Sequence, residues 1–430
     1  MKSLKHLAIA LAIILLASCG TKEKKITSKR DYTGYLQNTE SEMLQLAKSD
    51  LNFWEKKLEK EPNQFPYLAK AAASQSQIFN LTGKIESLKE AEIYLVKANE
   101  AALYNKADYL RALARNYISQ HRFKEALGLL KKAELNGEHL KGTQKMLFDV
   151  HMELGNFELA KSYLDKIRKN GDFDYLIRLS KWSDHRGNIE AAIKYMEQAK
   201  NIAESSNIPA TKQWVYTNLA NYYGHAGRIQ DSYQHYLKAL ELNPEDAYAK
   251  KGIAWIVYSY EKNPDEALNI LNTITKNHKS PDYYLLKAEI AEFKGDLNLK
   301  KNELKLYNRA VNNPLYGHMY NKYNTLLLAE NPREITKAFI IANTEIENRP
   351  IPQSYDLLAW TYYKNGNNKE ALKIAENYVA GKTFEPEVLF HLAYIYKAND
   401  KFKEVKNLKE ELQESIFELG PVIATKVNDI

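Results

Sequence analysis

Residues 216–244 read YTNLANYYGHAGRIQDSYQHYLKALELNP, with the skeleton Tyr216-x2-Leu219-Ala220-x2-Tyr223, then Gly227, then Ser232-x3-Tyr236, Ala239 and Pro244. Each place has a physical reading. Small Ala220 and Ser232 suit the point where two helices cross closely, and Tyr223 and Tyr236 fill the space beside them. Gly227 ends a first helix, since glycine tolerates the left-handed backbone of a tight turn. Pro244 stops a second helix, because it cannot continue the hydrogen-bond ladder.

The skeleton recurs along the chain. Ala114 and Ala126, Phe148 and Ala160, Ser180 and Ala192, Ala359 and Ala371, and Ala393 and Val405 are each twelve apart, as are Ala220 and Ser232. Ala254 and Ala267 are thirteen apart, with Asn263-Pro264 lengthening the turn. The first-helix anchors Ala114, Phe148, Ser180, Ala220, Ala254 and Ala288 step by 34, 32, 40, 34 and 34. Turn glycines fall at Gly155, Gly187, Gly227, Gly295 and Gly366. Less regular copies lie at 65–98, where Ala72 and Ala91 stand too far apart, and at 315–350 around Leu326 and Ala338; Lys300 occupies a small-residue place.

This pattern resembles the tetratricopeptide repeat, a helix–turn–helix unit of 34 residues. The resemblance covers roughly residues 65–412. It implies an all-α fold, a tetratricopeptide-type α-solenoid: a right-handed superhelix of antiparallel helix pairs, about ten of them across residues 46–414. No strand-like alternation or Gly-rich linker interrupts it. Residues 415–430 are expected to cap or trail the solenoid, since the last repeat exposes an apolar face.

At the other end, residues 15–22 read LLASCGTK and hold the chain's only cysteine, Cys19. Lys2 and Lys5 precede an apolar run from Leu7 to Ala17, too short to span a bilayer and of the form of a secretory signal peptide. Leu16-Ala17-Ser18-Cys19 resembles the lipobox of bacterial lipoproteins. That resemblance implies cleavage after Ser18, so that residues 1–18 are a signal peptide. It also implies acylation of Cys19 with fatty chains, palmitate among them, and a lipid-anchored tether over residues 19–45. Two or more acyl chains hold a protein stably on a membrane. Gly20 in place of Asp favours the outer membrane; the envelope protein could face the periplasm or the outside.

Net charge is +7, and the segment Gly20–Asp31 carries Lys22, Lys24, Lys25, Lys29 and Arg30 against Glu23 and Asp31. That segment reads as a flexible spacer near an anionic lipid surface. The excess is too mild and the address wrong for a nucleic-acid partner. No Walker loop, Gly-x-Ser-x-Gly, Gly-x-Gly-x-x-Gly or His-Glu-x-x-His occurs, and the ten histidines are scattered without metal-ligand spacing. No enzyme, cofactor or metal site is expected.

Stacked repeats of this kind expose their first helices on a concave face that takes extended peptides or partner helices. The places beside the small anchors select Arg111, Arg115, Lys145, Arg178, Lys181, His185, Trp214, Asn218, Asn221, His225, Lys251 and Trp255 as groove residues. Asn218 and Asn221 are similar to the asparagines by which some such repeats clamp a peptide backbone. With its cations, this face suits an envelope protein or peptide, acidic and extended. A glycan-binding lipoprotein of a nutrient-uptake system is the alternative; those carry large loop insertions, which the short turns here lack.

Overall fold

The structure, a computed structural model, describes residues 25–37 and 41–430. The signal peptide of residues 1–18, the lipobox and Cys19 lie outside the described residues. A short helix α1 (Lys29–Tyr32) and a helix α2 (Glu42–Lys60) precede ten antiparallel pairs. The pairs are α3 (Phe65–Thr82) with α4 (Ile85–Ala101), α5 (Ala107–Ser119) with α6 (Phe123–Asn136), and α7 (Leu140–Glu153) with α8 (Phe157–Lys166). There follow α9 (Phe173–His185) with α10 (Ile189–Ser206), α11 (Pro209–His225) with α12 (Ile229–Leu242), and α13 (Ala247–Trp255) with α14 (Pro264–Asn277). Then come α15 (Asp282–Phe293) with α16 (Leu297–Val311), and α17 (Asn321–Ala329) with α18 (Ile335–Asn348). The last are α19 (Pro352–Lys364) with α20 (Asn368–Tyr378) and α21 (Pro386–Lys397) with α22 (Phe402–Glu414). A final helix, α23 (Ile416–Asn428), closes the chain, and no strand occurs among the described residues.

The small anchors do what their spacing predicts. Ala114, Ala126, Ala160, Ser180, Ala192, Ala220, Ala254, Ala267, Ala359, Ala371 and Ala393 are fully buried. Ala72 and Ala91 are buried as well; their greater separation is taken up by the longer helices α3 and α4. Each predicted turn glycine sits at positive φ, between 69° at Gly227 and 79° at Gly366. Where the turn has no glycine, His121, Lys262 and Asp400 take the same conformation. The extra residue between Ala254 and Ala267 is not confined to the turn. It is absorbed as a π-helical turn, Ile256–Tyr260, at the end of α13, the usual way an α-helix carries one residue too many.

The stack coils back on itself. The turn after α3 meets the loop before α15, where Lys279 N donates to Thr82 O at 2.7 Å. The turn after α7 meets the loop before α19, and Arg349 pairs with Glu153 at 2.6 Å across 196 residues of sequence. The turn after α9 meets Phe384, and the end of α11 meets Phe417. Just under six repeats of 34 residues therefore complete one coil, and the second coil lies edge to edge on the first.

Glu153 is the node of this seam. Burial raises its pKa, but Lys181 and Arg349 outweigh burial and hold it below the ordinary value. The Arg349 guanidinium also lies over the Phe123 ring at 5.1 Å. Arg349→Ala is expected to cost about 2 kcal/mol, since a hydrogen bond between charged, partly buried groups is worth that much. Helix content should be unchanged, and hydrogen exchange should quicken at 349–352. Unaltered exchange there would remove the seam from the account.

The segment read as a flexible spacer is ordered where it is described. Tyr32 is buried and its hydroxyl donates to Glu266 at 3.1 Å. The amides of Ile26 and Thr27 donate to Glu261 at 2.9 and 2.5 Å, and Tyr233 donates to Asp31 at 3.0 Å. The cause is a set of acceptors on the second-helix side of pairs α11–α14, which fix backbone donors that an unattached chain would offer to water.

Candidate functional site

The first helices line the inner face of the coil, and five of the twelve selected groove residues lie on it as an ion-pair ladder. Lys145 reaches Asp174 at 2.6 Å, Arg178 reaches Asp149 at 2.6 Å, and Lys181 reaches Glu153 at 3.0 Å. Lys251 pairs with Asp282. Arg111 pairs with Asp108 and donates to Thr143 at 3.0 Å. Each of these inter-helix bonds joins one first helix to the next. The cations expected to attract an acidic ligand are thus spent on the stack, and the face is far less basic than its lysines and arginines suggest. Burial would lower Lys181 and Lys251, but Glu153 and Asp149 raise the first and Asp282 the second above the ordinary lysine value. Only Arg115 stays exposed with no side-chain partner among the described residues.

Asn221 is engaged within the stack. Its Oδ1 accepts from the buried Tyr236 hydroxyl at 2.5 Å and its amide donates to Tyr248. Asn218 donates to Trp214 O at 2.7 Å. Trp214 is 43% exposed, and Tyr248, one first helix along, is 54% exposed. Tyr248 was not selected from sequence; its place two residues after the Asp246 cap lies a turn ahead of the anchor, where a tyrosine also fits core packing. His185 packs on the Phe157 ring, with centroids 4.1 Å apart and planes tilted by 31°.

The remaining two groove residues face the chain's own last helix, Trp255 half-buried against it and His225 still exposed at its edge. Trp255 Nε1 donates to Phe417 O at 3.1 Å, and Ser259 donates to the same oxygen at 2.6 Å. His225 stands 3.7 Å from Glu418. Residues 415–430 are therefore more than a trailing cap: α23 lies across the C-terminal ends of α11, α13 and α15. The π turn after α13 supplies Ser259 and Tyr258 to that contact. Gly420 permits it, with φ 77° and ψ 165° and no room for a Cβ beside Glu289 and Trp255.

Glu289 sits beneath Gly420 and accepts from Tyr258 at 3.1 Å. Burial pushes its carboxyl up; the Tyr258 bond opposes, Glu292 and Glu387 add to the rise, and the result is about 7. Burial raises Glu418 in the same sense, with His225 opposing and Glu385 and Asp184 reinforcing. A raised carboxyl stabilises the covered state fully below its free value, near 4.5. That contribution is lost as pH rises through about 7. Exchange protection of residues 416–428 is expected to be higher at pH 5.5 than at pH 8, after correction for intrinsic rates. Glu289→Gln should flatten the difference; an equally steep profile in that variant would assign it elsewhere.

Among the described residues, no cluster of three or more His, Cys, Asp or Glu could hold a metal ion. No helix among them is long and apolar enough to cross a membrane.

No curated protein matches the chain. Among solved structures, one described as "Functional Characterization of Pseudomonas Aeruginosa pilF" matches at 16% identity, over 50% of this chain and 96% of the other, with a TM-score of 0.37. The tetratricopeptide repeat family model matches residues 225–290, from the end of α11 through α14 into α15. Those residues include Gly227, Ser232, Tyr236, Ala254 and Ala267 of the recurring skeleton, and buried anchors at the same spacing recur in α5–α10 and α19–α22: the described chain is an all-α solenoid of the tetratricopeptide type.

Proposed function

We propose that this protein is a lipid-anchored scaffold of the bacterial cell envelope, which binds a protein partner on the open stretch of its inner face and performs no catalysis. Tetratricopeptide repeats generally mediate protein–protein interaction, and antiparallel helix pairs of that type run through most of the described chain. The observation that carries the reading is the exposed pair Trp214 and Tyr248 with Asn218 between ladders of satisfied ion pairs. A pre-formed surface with two large aromatics and few free charges favours a peptide over a diffuse electrostatic ligand. The docked segment 25–37 begins six residues beyond Cys19, so lipid on that cysteine would hold the outer side of pairs α11–α14 near the membrane. The outer membrane is the proposed location.

Two measurements test the two halves. Cys19→Ser is expected to abolish partition into a detergent phase and incorporation of palmitate. A Cys19→Ser protein that still partitions after removal of the leader overturns the anchor. For the binding half, Trp214→Ala with Tyr248→Ala should lose the partner recovered from envelope extract at least tenfold, about 1.4 kcal/mol. Retardation of the protein in a polysaccharide gel, without any protein partner, would favour the glycan-binding alternative.

A further inference from the structure

The seam between the two coils contains a cleft that belongs to neither face of the stack. It has a volume of about 480 Å³, within the roughly 300–1,000 Å³ of small-ligand sites. One wall is the turn after α9, with His185 and Arg186; the other is the loop from α20 to α21, with Lys382 and Phe384. Tyr355 and Tyr378 stack on each other at 4.1 Å, 8° from parallel, and Phe157 backs His185. Tyr378 is 45% and Phe384 53% exposed. Such paired exposed aromatics are costly to leave in water unless something covers them.

The polar lining is cationic. Arg186 is exposed and makes no side-chain hydrogen bond or ion pair among the described residues. Lys382 donates to a backbone carbonyl, that of Asn377, at 2.5 Å, and its ammonium lies 5.8 Å from the Tyr378 ring. Burial lowers the His185 pKa, and Arg186 and Lys181 lower it further, so positive charge rests on Arg186 and Lys382. No aspartate, glutamate, asparagine or glutamine lines the cleft. The lining offers a sugar's hydroxyls no carboxylate or amide acceptor, only the tyrosine hydroxyls, the His185 ring and backbone carbonyls. It is the right set for a carboxylate beside a ring: Arg and Lys take the charge, and tyrosine and phenylalanine faces take the apolar group.

We propose that this cleft binds an acidic peptide segment through one carboxylate, held by Arg186 and Lys382, and one aromatic side chain seated against Tyr378 and Phe384. The proposal rests on the scaffold reading only in taking the ligand as a peptide; the site is separate from the Trp214 face. The cleft exists only when the coils are in register, so its occupancy also reports on the seam.

The test uses the detergent-solubilised full chain and N-acetylphenylalanine as probe, followed by saturation-transfer NMR and calorimetry. A dissociation constant of roughly millimolar order is expected for so small a ligand. N-Acetylphenylalaninamide, which lacks the carboxylate, should bind at least tenfold more weakly. Arg186→Glu and Tyr378→Ala should each weaken the acid at least tenfold; both side chains are exposed, and unchanged melting curves would confirm intact folding. Lys382→Glu serves if either variant fails to fold. Inorganic phosphate should not displace the probe. Equal binding of acid and amide, displacement by phosphate alone, preference for maltotriose, or no binding of any probe would each overturn the proposal. None of those results touches recovery of a partner at Trp214 and Tyr248, so the two readings fail separately.

Discussion

Gly420→Val is expected to release α23 from the inner face. Gly420 has φ 77° and ψ 165°, a region that is essentially glycine-only and costs about 1–3 kcal/mol for other residues. A Cβ there would also stand 2.7 Å from Glu289 Oε1 and 2.9 Å from the Trp255 ring. Neither neighbour has freedom to move: Glu289 is tied to Tyr258, and Trp255 to Phe417. Strain and overlap together offset a large part of what this short helix gains by burying Leu419, Val422 and Val427, about 1.5–3 kcal/mol for each side chain. The Trp255 indole N–H should lose its carbonyl partner, and exchange over 416–428 should rise by at least a hundredfold, about 2.7 kcal/mol. The first four pairs, which α23 does not touch, should melt as before, because repeat stacks lose stability locally. Unchanged exchange over 416–428 would show that α23 is not held by this contact.

Gly252→Ala is expected to have an equally large effect of opposite sign to what helix propensity suggests. Alanine in mid-helix is favoured over glycine by about 1 kcal/mol, and Gly252 lies inside α13. Yet a Cβ there would enter the ring of Tyr236, which is buried and anchored through its hydroxyl to Asn221 at 2.5 Å. Overpacking typically costs about 1–3 kcal/mol and more where the neighbour is fixed. A net loss of about 2 kcal/mol should follow, read as a lower denaturant midpoint with quickened exchange in pairs α11–α14. A stabilised protein would mean that α12 and α13 pack less closely than described.

The two glycines show where sequence reasoning reaches and where it stops. Gly227 and its counterparts are legible because a tight turn between helices imposes its own local demand. The anchors Ala220 and Ser232 are legible because close crossing needs small residues at a fixed spacing. Gly420 and Gly252 answer to partners, and only Tyr236 lies near enough in sequence to be suspected. The coil itself was not legible. Repeat period reveals which helices are neighbours, but the pitch that sets Arg349 on Glu153 comes from small rotations summed over many repeats. For the same reason the charge of the first-helix face was not legible. Lys145, Arg178, Lys181 and Lys251 find their carboxylates on the adjacent first helix, roughly thirty residues away. The bonds of Asn221 to Tyr236 and Tyr248 were not legible either, because both tyrosines look in sequence like ordinary packing residues.

Site-specific photo-crosslinking in cells discriminates the scaffold reading from its rivals. A photoreactive amino acid at Asn218, between Trp214 and the Asn221–Tyr248 contact on the inner face, is compared with one at Gln234, exposed on the second-helix side of the same pair. Protein adducts are expected from position 218, absent from position 234, and lost when Trp214→Ala and Tyr248→Ala are introduced together. Adducts from position 234 alone, or adducts at 218 that survive the loss of both aromatics, would contradict a partner-binding inner face.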